Sequence, residues 1–411
     1  MLAPYIASLA AIVAIACSPA ASAQSFSFGP GAPASTRVYT AEAGYGFEGA
    51  VPQIGKDSVG GQPFFFSVDV PEGNYRVTVT FGGDRASETT ARAELRRLML
   101  ERVRVPARGS ATRSFIVNVR TPDFPGGRVK LKRPREVETE ARAWDKRVTL
   151  EFAGTPAVRA IKVEPVTVPT IYILGDSTVA DQSGEPFASW GQMFPRFFKP
   201  TVAVANHSES GESTLSATGA GRFEKILSLI RPGDTFIVQF GHNDQKAKAP
   251  DKEDKYKAIL VDWARRVKAK GATLVIVTPM HRNRMIGGKV QDTLGNFPEL
   301  ARAAAAESGA LLIDLHAKSR ILYEALGPQG TNALFEHNAD YSQKDGTHHG
   351  PYGAYELAKI VVQGLRDANA PIASEVLTDF ERYDPARPLA EKNFKVPPSH
   401  TFASERPLGD N

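Results

Sequence analysis

Two hydrophobic rhythms divide the chain. Between Val38 and Thr167 apolar residues come in short runs that alternate with polar ones, as in Tyr75–Phe81, Phe115–Val119 and Arg147–Phe152. Phe64–Val70 belongs to the same set and stops at Pro71-Glu-Gly-Asn74, a stretch with its own turn chemistry. A period of two sends successive side chains to opposite faces, so one face packs and the other meets water. Several such strands with turns between them predict an antiparallel β-sandwich. From Thr170 the apolar runs become continuous: Ile171–Leu174, Val202–Ala205, Phe236–Phe240, Thr273–Val277 and Leu311–Asp314. Strands apolar on both sides belong to a parallel sheet covered on both faces. Helical segments lie between or after them, Lys255–Lys270, Phe297–Ser308 and Tyr352–Asp367. In the last, Ala354, Leu357, Ala358, Val361 and Leu365 share one face. The second half is therefore expected to be α/β, built from βαβ units.

The 411 residues then fall into a leader (1–23), a β-sandwich domain (24–167), an α/β domain (168–375) and a tail (376–411). The leader carries an apolar stretch from Ile6 to Ala16, then Pro19 and an Ala21-Ser22-Ala23 cleavage pattern, although no lysine or arginine precedes it. That stretch is too short to anchor the chain across a bilayer. Cleavage before Cys17 with lipid attachment is the weaker alternative, because Ala14 stands where a leucine is usual. Cleavage after Ala23 removes the single cysteine, so an exported chain, secreted or periplasmic, without disulfides is expected. Ser25 to about Arg37 is a Gly/Pro/Ala/Ser-rich lead-in, Lys130–Arg142 reads as an exposed charged loop, and Pro165–Pro169 reads as the linker between domains. After Pro371 periodicity is lost, and the Pro-rich, charged end is expected to drape over the surface or move on it.

Charge adds one question. The net formal charge is +5, and the stretch from Gln24 to Thr167 holds 22 lysine and arginine residues against 16 acidic ones, mostly in excess between Arg102 and Arg147. The excess is either a solvated surface or a landing patch for an acidic polymer. Nucleic acid is not an expected partner, since no nucleic-acid motif is present and the chain is read as exported.

Candidate chemistry sits at the ends of the apolar runs. Ile171–Leu174 leads into Gly175-Asp176-Ser177, which places a serine at the carboxyl end of a strand, where open α/β sheets put their ligands. Asp-Ser-Thr is also good helix-capping chemistry, so this stretch alone is equally a strand-to-helix turn. Three later stretches change that. Gly211 in Asn206–Thr214 has no Cβ to block approach of its N–H to a reacting carbonyl. Asn243, just after Phe236–Phe240, offers an amide donor to a developing oxyanion. Asp345, three residues before His348, can hold the imidazole tautomer and leave its other nitrogen to deprotonate a serine.

In this order and spacing, from about Pro169 to Arg366, the set resembles the SGNH (GDSL-type) hydrolases, whose four blocks supply Ser, Gly, Asn and His. It is most similar to the rhamnogalacturonan acetylesterase branch, carbohydrate esterase family 12, in Gly175–Ala180, Trp190-Gly-Gln192, Gln239–Asp244 and Asp345-x-Thr-His348 followed by Gly353-Ala354. The resemblance implies a three-layer α/β/α, flavodoxin-like SGNH-hydrolase domain with a parallel sheet. It also implies a serine esterase that removes O-acetyl groups from a polysaccharide such as pectin. Ser177 would be the nucleophile, His348 the base and then acid, and Asp345 its orienting group. Ser177 N–H, Gly211 N–H and Asn243 would form the oxyanion hole, with no cofactor and no metal. A zinc site from Asp345, His348 and His349 finds no further ligand at suitable spacing. Asp176 is expected to shape the turn, His242 either to support the Asn243 loop or to be a satisfied structural histidine, and His349 to be a neighbour only. The sandwich domain resembles a galactose-binding-like module through Gly44–Glu48 and Arg96–Leu100. One departure stands out: where the family commonly has Gly-Arg-Ser-x-Arg, this chain reads Gly211-Glu212-Ser-Thr-Leu215. A different acyl ester, in another glycan, a lipid or a small molecule, is the alternative substrate, and a noncatalytic carbohydrate-binding protein the alternative function.

Overall fold

In the computed structural model, which describes residues 22–337, 344–401 and 407, the strand Thr170–Gly175 is buried along its whole length. It pairs in parallel with Ala203–Asn206 on one side and Thr235–Gln239 on the other, with Ile171 opposite Val204 and Thr235. Thr273–Val277 and Leu311–Ile313 extend the sheet, and all its pairings are parallel. The spatial order places the second strand outside the first and the other three on the opposite side, the flavodoxin-like winding. Its reversal of direction falls between Thr170–Gly175 and its neighbours, beside the Gly175-Asp-Ser turn. Helices cover both faces, which explains the uninterrupted apolar runs. Ile171, Ile173, Val275 and Val277 pack against Trp190, Leu322 and the helix Pro351–Asp367. Tyr172, Leu174, Phe236 and Val238 pack against Phe223, Tyr256, Trp263 and Phe297 from the helices Arg222–Leu229, Lys252–Ala269 and Phe297–Ser308.

The preceding half is a sandwich of two antiparallel sheets. Phe66 lies opposite Phe47 and Leu150 in one sheet, and Val79 opposite Arg113 and Ile161 in the other. Their inner faces meet in an aromatic core of Phe26, Phe28, Phe47, Phe64, Phe66, Phe81 and Phe152. The Gly/Pro-rich lead-in is not only a lead-in, because Gln24–Ser27 adds an edge strand along Ala157–Pro165. The hairpin of Ser87–Ala93 and Arg97–Val105 is invisible to a period-two reading. Ser87–Ala93 is mostly polar, yet Thr89, Thr90 and Arg92 are buried, because the tail crosses its outer side: Arg92 donates to the Pro397 carbonyl. The tail drapes, with Ser399 N–H on Glu185 (2.9 Å) and Ser399 Oγ on Glu151 (3.0 Å).

Lys130–Arg142 corrects the expectation of an exposed loop. It forms two short 3-10 turns that bury Glu136 and Glu140 against the α/β half. The basic excess is largely turned into ion pairs: Arg102 and Arg104 with Glu88, Arg142 with Glu48, Arg147 with Asp145, and Lys132 with Glu212. Lys130 and Arg133 remain at the surface. The leader's apolar stretch lies outside the described residues, and among them no helix is long and apolar enough to cross a membrane.

Candidate active site

The serine turn is built by sterics. A Cβ on Gly175 would lie 2.5 Å from Val179 Cγ2 and 2.7 Å from the Gln239 carbonyl oxygen, so only glycine lets the strand exit here. Asp176 Oδ1 accepts from the Thr178 N–H (3.0 Å) and hydroxyl (2.7 Å), and the Thr178 hydroxyl accepts from Gln239 Nε2 (2.8 Å). Asp176 thus shapes the turn and leaves Ser177 at its crest. Behind it, His242 Nε2 meets the Met280 carbonyl at 3.1 Å, and His242 Nδ1 stands 3.4 Å from Asp176 Oδ2. That arrangement holds the start of the Asn243 loop.

The strand Lys344–His349 brings the histidine across. His348 Nε2 lies 2.9 Å from Ser177 Oγ, and His348 Nδ1 lies 2.8 Å from Asp345 Oδ2. Asp345 Oδ1 accepts from the N–H groups of Thr347 (2.7 Å) and His348 (2.9 Å). Burial pushes the Asp345 carboxyl up, but the hydrogen bond and charge of His348 and these two amides together hold it well below the usual carboxylate range. An ionised Asp345 fixes Nδ1–H on His348, so Nε2 carries the lone pair that faces the serine. All three side chains are buried. His349 turns away, with Nε2 3.1 Å from the Tyr323 hydroxyl and its ring 4.2 Å from that of Phe335. Asp345, His348 and His349 therefore do not converge on a metal.

The loop holding Gly211 is tied to the end of the first strand by the Glu209 N–H on the Gly175 carbonyl (3.2 Å). Gln182 Nε2 donates to the Ser177 carbonyl (2.6 Å) and reaches Ser210 Oγ at 3.4 Å, which links loop and turn. Gly211 has φ +76°, a value that favours glycine. Asn243 Nδ2 donates to the Glu212 carbonyl (2.9 Å), so the second and third blocks meet one residue past Gly211. Gly211 and Asn243 are half-buried, while Ser210, Glu212, His242 and Asp244 around them are buried.

Sequence reasoning missed that the preceding domain reaches this loop. Lys132 Nζ donates to the Ser210 carbonyl (2.6 Å) and lies 3.3 Å from Glu212 Oε1. Ser210 C=O and Gly211 N–H belong to one planar trans peptide, so they point in opposite directions. Holding the carbonyl from the domain interface aims the N–H the other way. Arg135 Nη2 donates to Ser210 Oγ (3.1 Å), and Arg135 also pairs with Glu140 and stands 3.7 Å from Glu209. Burial first, then the neighbouring carboxylates of Glu140 and Glu136, drives the Glu209 carboxyl well above its ordinary range. Glu212, the departure from the family pattern, faces inward to Arg222 Nε (3.3 Å), and Arg222 makes a two-pronged pair with Glu136 (2.6 and 3.0 Å). No sequence signal marked Lys132 or Arg135, because a charged loop reads alike whether water or another domain receives it.

The arrangement is one that can activate a hydroxyl and hold an oxyanion. Residues 173–354 match the model of the GDSL-like Lipase/Acylhydrolase family. The chain is 37% identical over 218 residues to rhamnogalacturonan acetylesterase RhgT of Bacillus subtilis (strain 168), covering 51% of this chain and 94% of that protein. It is 31% identical over 307 residues to a protein of the same organism named uncharacterized esterase YxiM, covering 73% of this chain and 74% of the relative. A crystal structure of the YXIM protein from Bacillus subtilis covers 85% of this chain and 99% of its own, with a TM-score of 0.49 and 28% identity. The chain belongs to the GDSL-like lipase/acylhydrolase family, and with it to the carboxylic ester hydrolases.

Proposed function

We propose that this protein is an exported serine esterase that removes O-acetyl groups from a polysaccharide, with acetylated rhamnogalacturonan of pectin as its substrate. The observation that carries the chemistry is the chain Ser177 Oγ–His348 Nε2–His348 Nδ1–Asp345 at 2.9 and 2.8 Å. The likeness to rhamnogalacturonan acetylesterase RhgT, nearly along the relative's whole length, supports the substrate. As Ser177 Oγ attacks the acetyl carbonyl carbon, its proton passes to His348 Nε2. The carbonyl oxygen becomes an oxyanion held by the N–H groups of Ser177 and Gly211 and by Asn243 Nδ2. When the carbon–oxygen bond to the sugar breaks, the imidazolium returns that proton to the sugar oxygen and leaves acetyl-Ser177. Water then attacks the acyl group while His348 takes its proton, and as the bond to Ser177 Oγ breaks the imidazolium hands that proton to Oγ, freeing acetic acid, which ionises to acetate, and restoring Ser177. Asp345 stays ionised and steadies the imidazolium.

The test is acetate release from acetylated rhamnogalacturonan, acetylated xylan and an acetylated bacterial glycan, by wild type and by Ser177→Ala. Loss of a triad member costs several orders of magnitude in turnover, with rhamnogalacturonan expected to be the best of the three. Unchanged turnover in a folded Ser177→Ala protein overturns the mechanism. Faster release from another glycan overturns the substrate and leaves the mechanism standing.

A further inference from the structure

His281, Asp292 and His316 come from three separate pieces of the fold. They sit on the turn after the strand Thr273–Val277, on the loop before the helix Phe297–Ser308, and on the first turn of the helix Leu315–Leu334. One ligand-capable atom of each lies within 4.8 Å of those of the other two. His281 is 1% exposed and His316 6%. His281 Nδ1 and His316 Nε2 are buried with no hydrogen-bond partner among the described residues. A native interior rarely leaves two such atoms unpartnered without a reason. The rings are near-stacked, with centroids 3.7 Å apart and planes at 33°, so one ring has to turn for both lone pairs to meet one ion. Asp292 spends Oδ1 on the Leu294 N–H (2.9 Å) and leaves Oδ2 3.5 Å from His316 Nε2.

We propose that His281, Asp292 and His316 bind one divalent transition-metal ion, zinc being the ion suited to two imidazoles and a carboxylate. The other ring nitrogen of His281 receives Arg320 Nε at a long 3.4 Å from an exposed side chain. That contact is the one that gives way when metal on Nδ1 moves the ring proton to Nε2. The site is structural, set apart from the ester chemistry but joined to its scaffold. The His281 carbonyl accepts from Tyr323, whose hydroxyl also meets His349 Nε2, and the adjacent Met280 carbonyl meets His242 Nε2. An ion here would pin the turn that backs both Asn243 and the strand carrying His348.

The experiment uses the full, tag-free chain stripped with chelator. Titration with zinc is followed by calorimetry, with metal content measured on the dialysed product, and cobalt(II) serves as a coloured probe. One equivalent of zinc, a melting temperature raised by several degrees, and the strong visible bands of a four- or five-coordinate cobalt ion are expected. Acetyl-ester turnover of the stripped protein should stay within twofold of the loaded one. Asp292→Asn keeps an oxygen for the Leu294 N–H at an exposed position, so the fold should survive while zinc binds at least tenfold more weakly. His281→Ala with His316→Ala should abolish both the cobalt bands and the thermal shift. A stoichiometry far below one, equal zinc binding by wild type and the variants, or the pale spectrum of six-coordinate cobalt overturns the proposal.

Discussion

Lys132→Met tests whether the β-sandwich domain takes part in catalysis. Methionine keeps the length and apolar stem of the side chain and deletes the ammonium that holds the Ser210 carbonyl at 2.6 Å. A charge-assisted hydrogen bond is worth roughly 1.5–3 kcal/mol, but this one exists before and during reaction, so most of its energy cancels from kcat. Two contributions do not cancel. The first is aim: a donor of the oxyanion hole contributes roughly 3 kcal/mol, and a peptide free to rock delivers less of it. The second is direct attraction between ammonium and oxyanion across one peptide unit, about 8 Å, which at an effective dielectric of 20 is about 2 kcal/mol. The Lys132 side chain is 29% exposed, so solvent screening reduces that to about 1 kcal/mol. Together they give about 1–2 kcal/mol, a fall in kcat of roughly 5–30-fold with KM nearly unchanged. The assay is the burst rate of acylation with a chromogenic acetyl ester, which isolates the step in which the oxyanion forms. Glu212 keeps Arg222 as a partner, so the melting temperature should move little. Lys132→Arg should recover most of the rate. An acylation rate within twofold of wild type refutes the reasoning. A rate loss that tracks a fall in melting temperature reduces Lys132 to ordinary packing.

Three further outcomes are expected. Glu136→Ala leaves the fully buried Arg222 without its two-pronged partner and should destabilise the fold by roughly 3–5 kcal/mol in denaturant titration; a change below about 1 kcal/mol shows that water has replaced the carboxylate. Burial pushes the Glu94 carboxyl up to about 8, so the folded state holds a proton that the unfolded state releases near 4.5. Stability from this group is whole below 4.5 and is lost as pH rises to 8, with a ceiling of about 5 kcal/mol; the stability difference between Glu94→Gln and wild type should therefore grow over this window, and a constant difference contradicts the assignment. Lys130→Glu with Arg133→Glu, both at exposed positions, should raise KM for an acidic polymer at low salt and leave a small acetyl ester untouched; equal kinetics on both substrates would make this surface plain solvated charge.

The legible parts of the sequence were those whose partners share their own layer. Ile171–Leu174 reads as a strand because both of its faces meet helices, and its carboxyl end marks Ser177. Asn243 and His348 are legible for the same reason, each standing where a regular element meets a turn in a fixed order. Ser87–Ala93 is a strand without an apolar period, since the draped tail and the ion pair of Arg92 with Glu151 bury it from outside. The helix Leu315–Leu334 loses its pattern at Gly327, which leaves the helical conformation with φ +67° just before Pro328. Lys130–Arg142 looks solvated because its partners, Glu209, Glu212 and Arg222, lie more than sixty positions away in another domain.

The departure at the second block acquires a physical meaning from those same pairs. Where the resemblance leads one to expect two arginines on this loop, this chain has Glu212 and Leu215. Leu215 is 54% exposed and presents an apolar surface. Glu212 reverses the sign of the charge, yet its carboxylate is buried between Lys132 and Arg222 and adds no negative charge to the surface. Two cations from the sandwich domain hold this loop, Lys132 on the peptide of Gly211 and Arg135 on the Ser210 hydroxyl, beside Arg222 of the α/β half on Glu212. Glu212 therefore works as the carboxylate partner of a half-buried cation from another domain. On that logic the sandwich domain, residues 24–167, is more than a detachable attachment. An α/β domain cut free of them would keep Ser177, Asp345 and His348 but would leave Glu212 and Arg222 facing water, with the Gly211 peptide unheld.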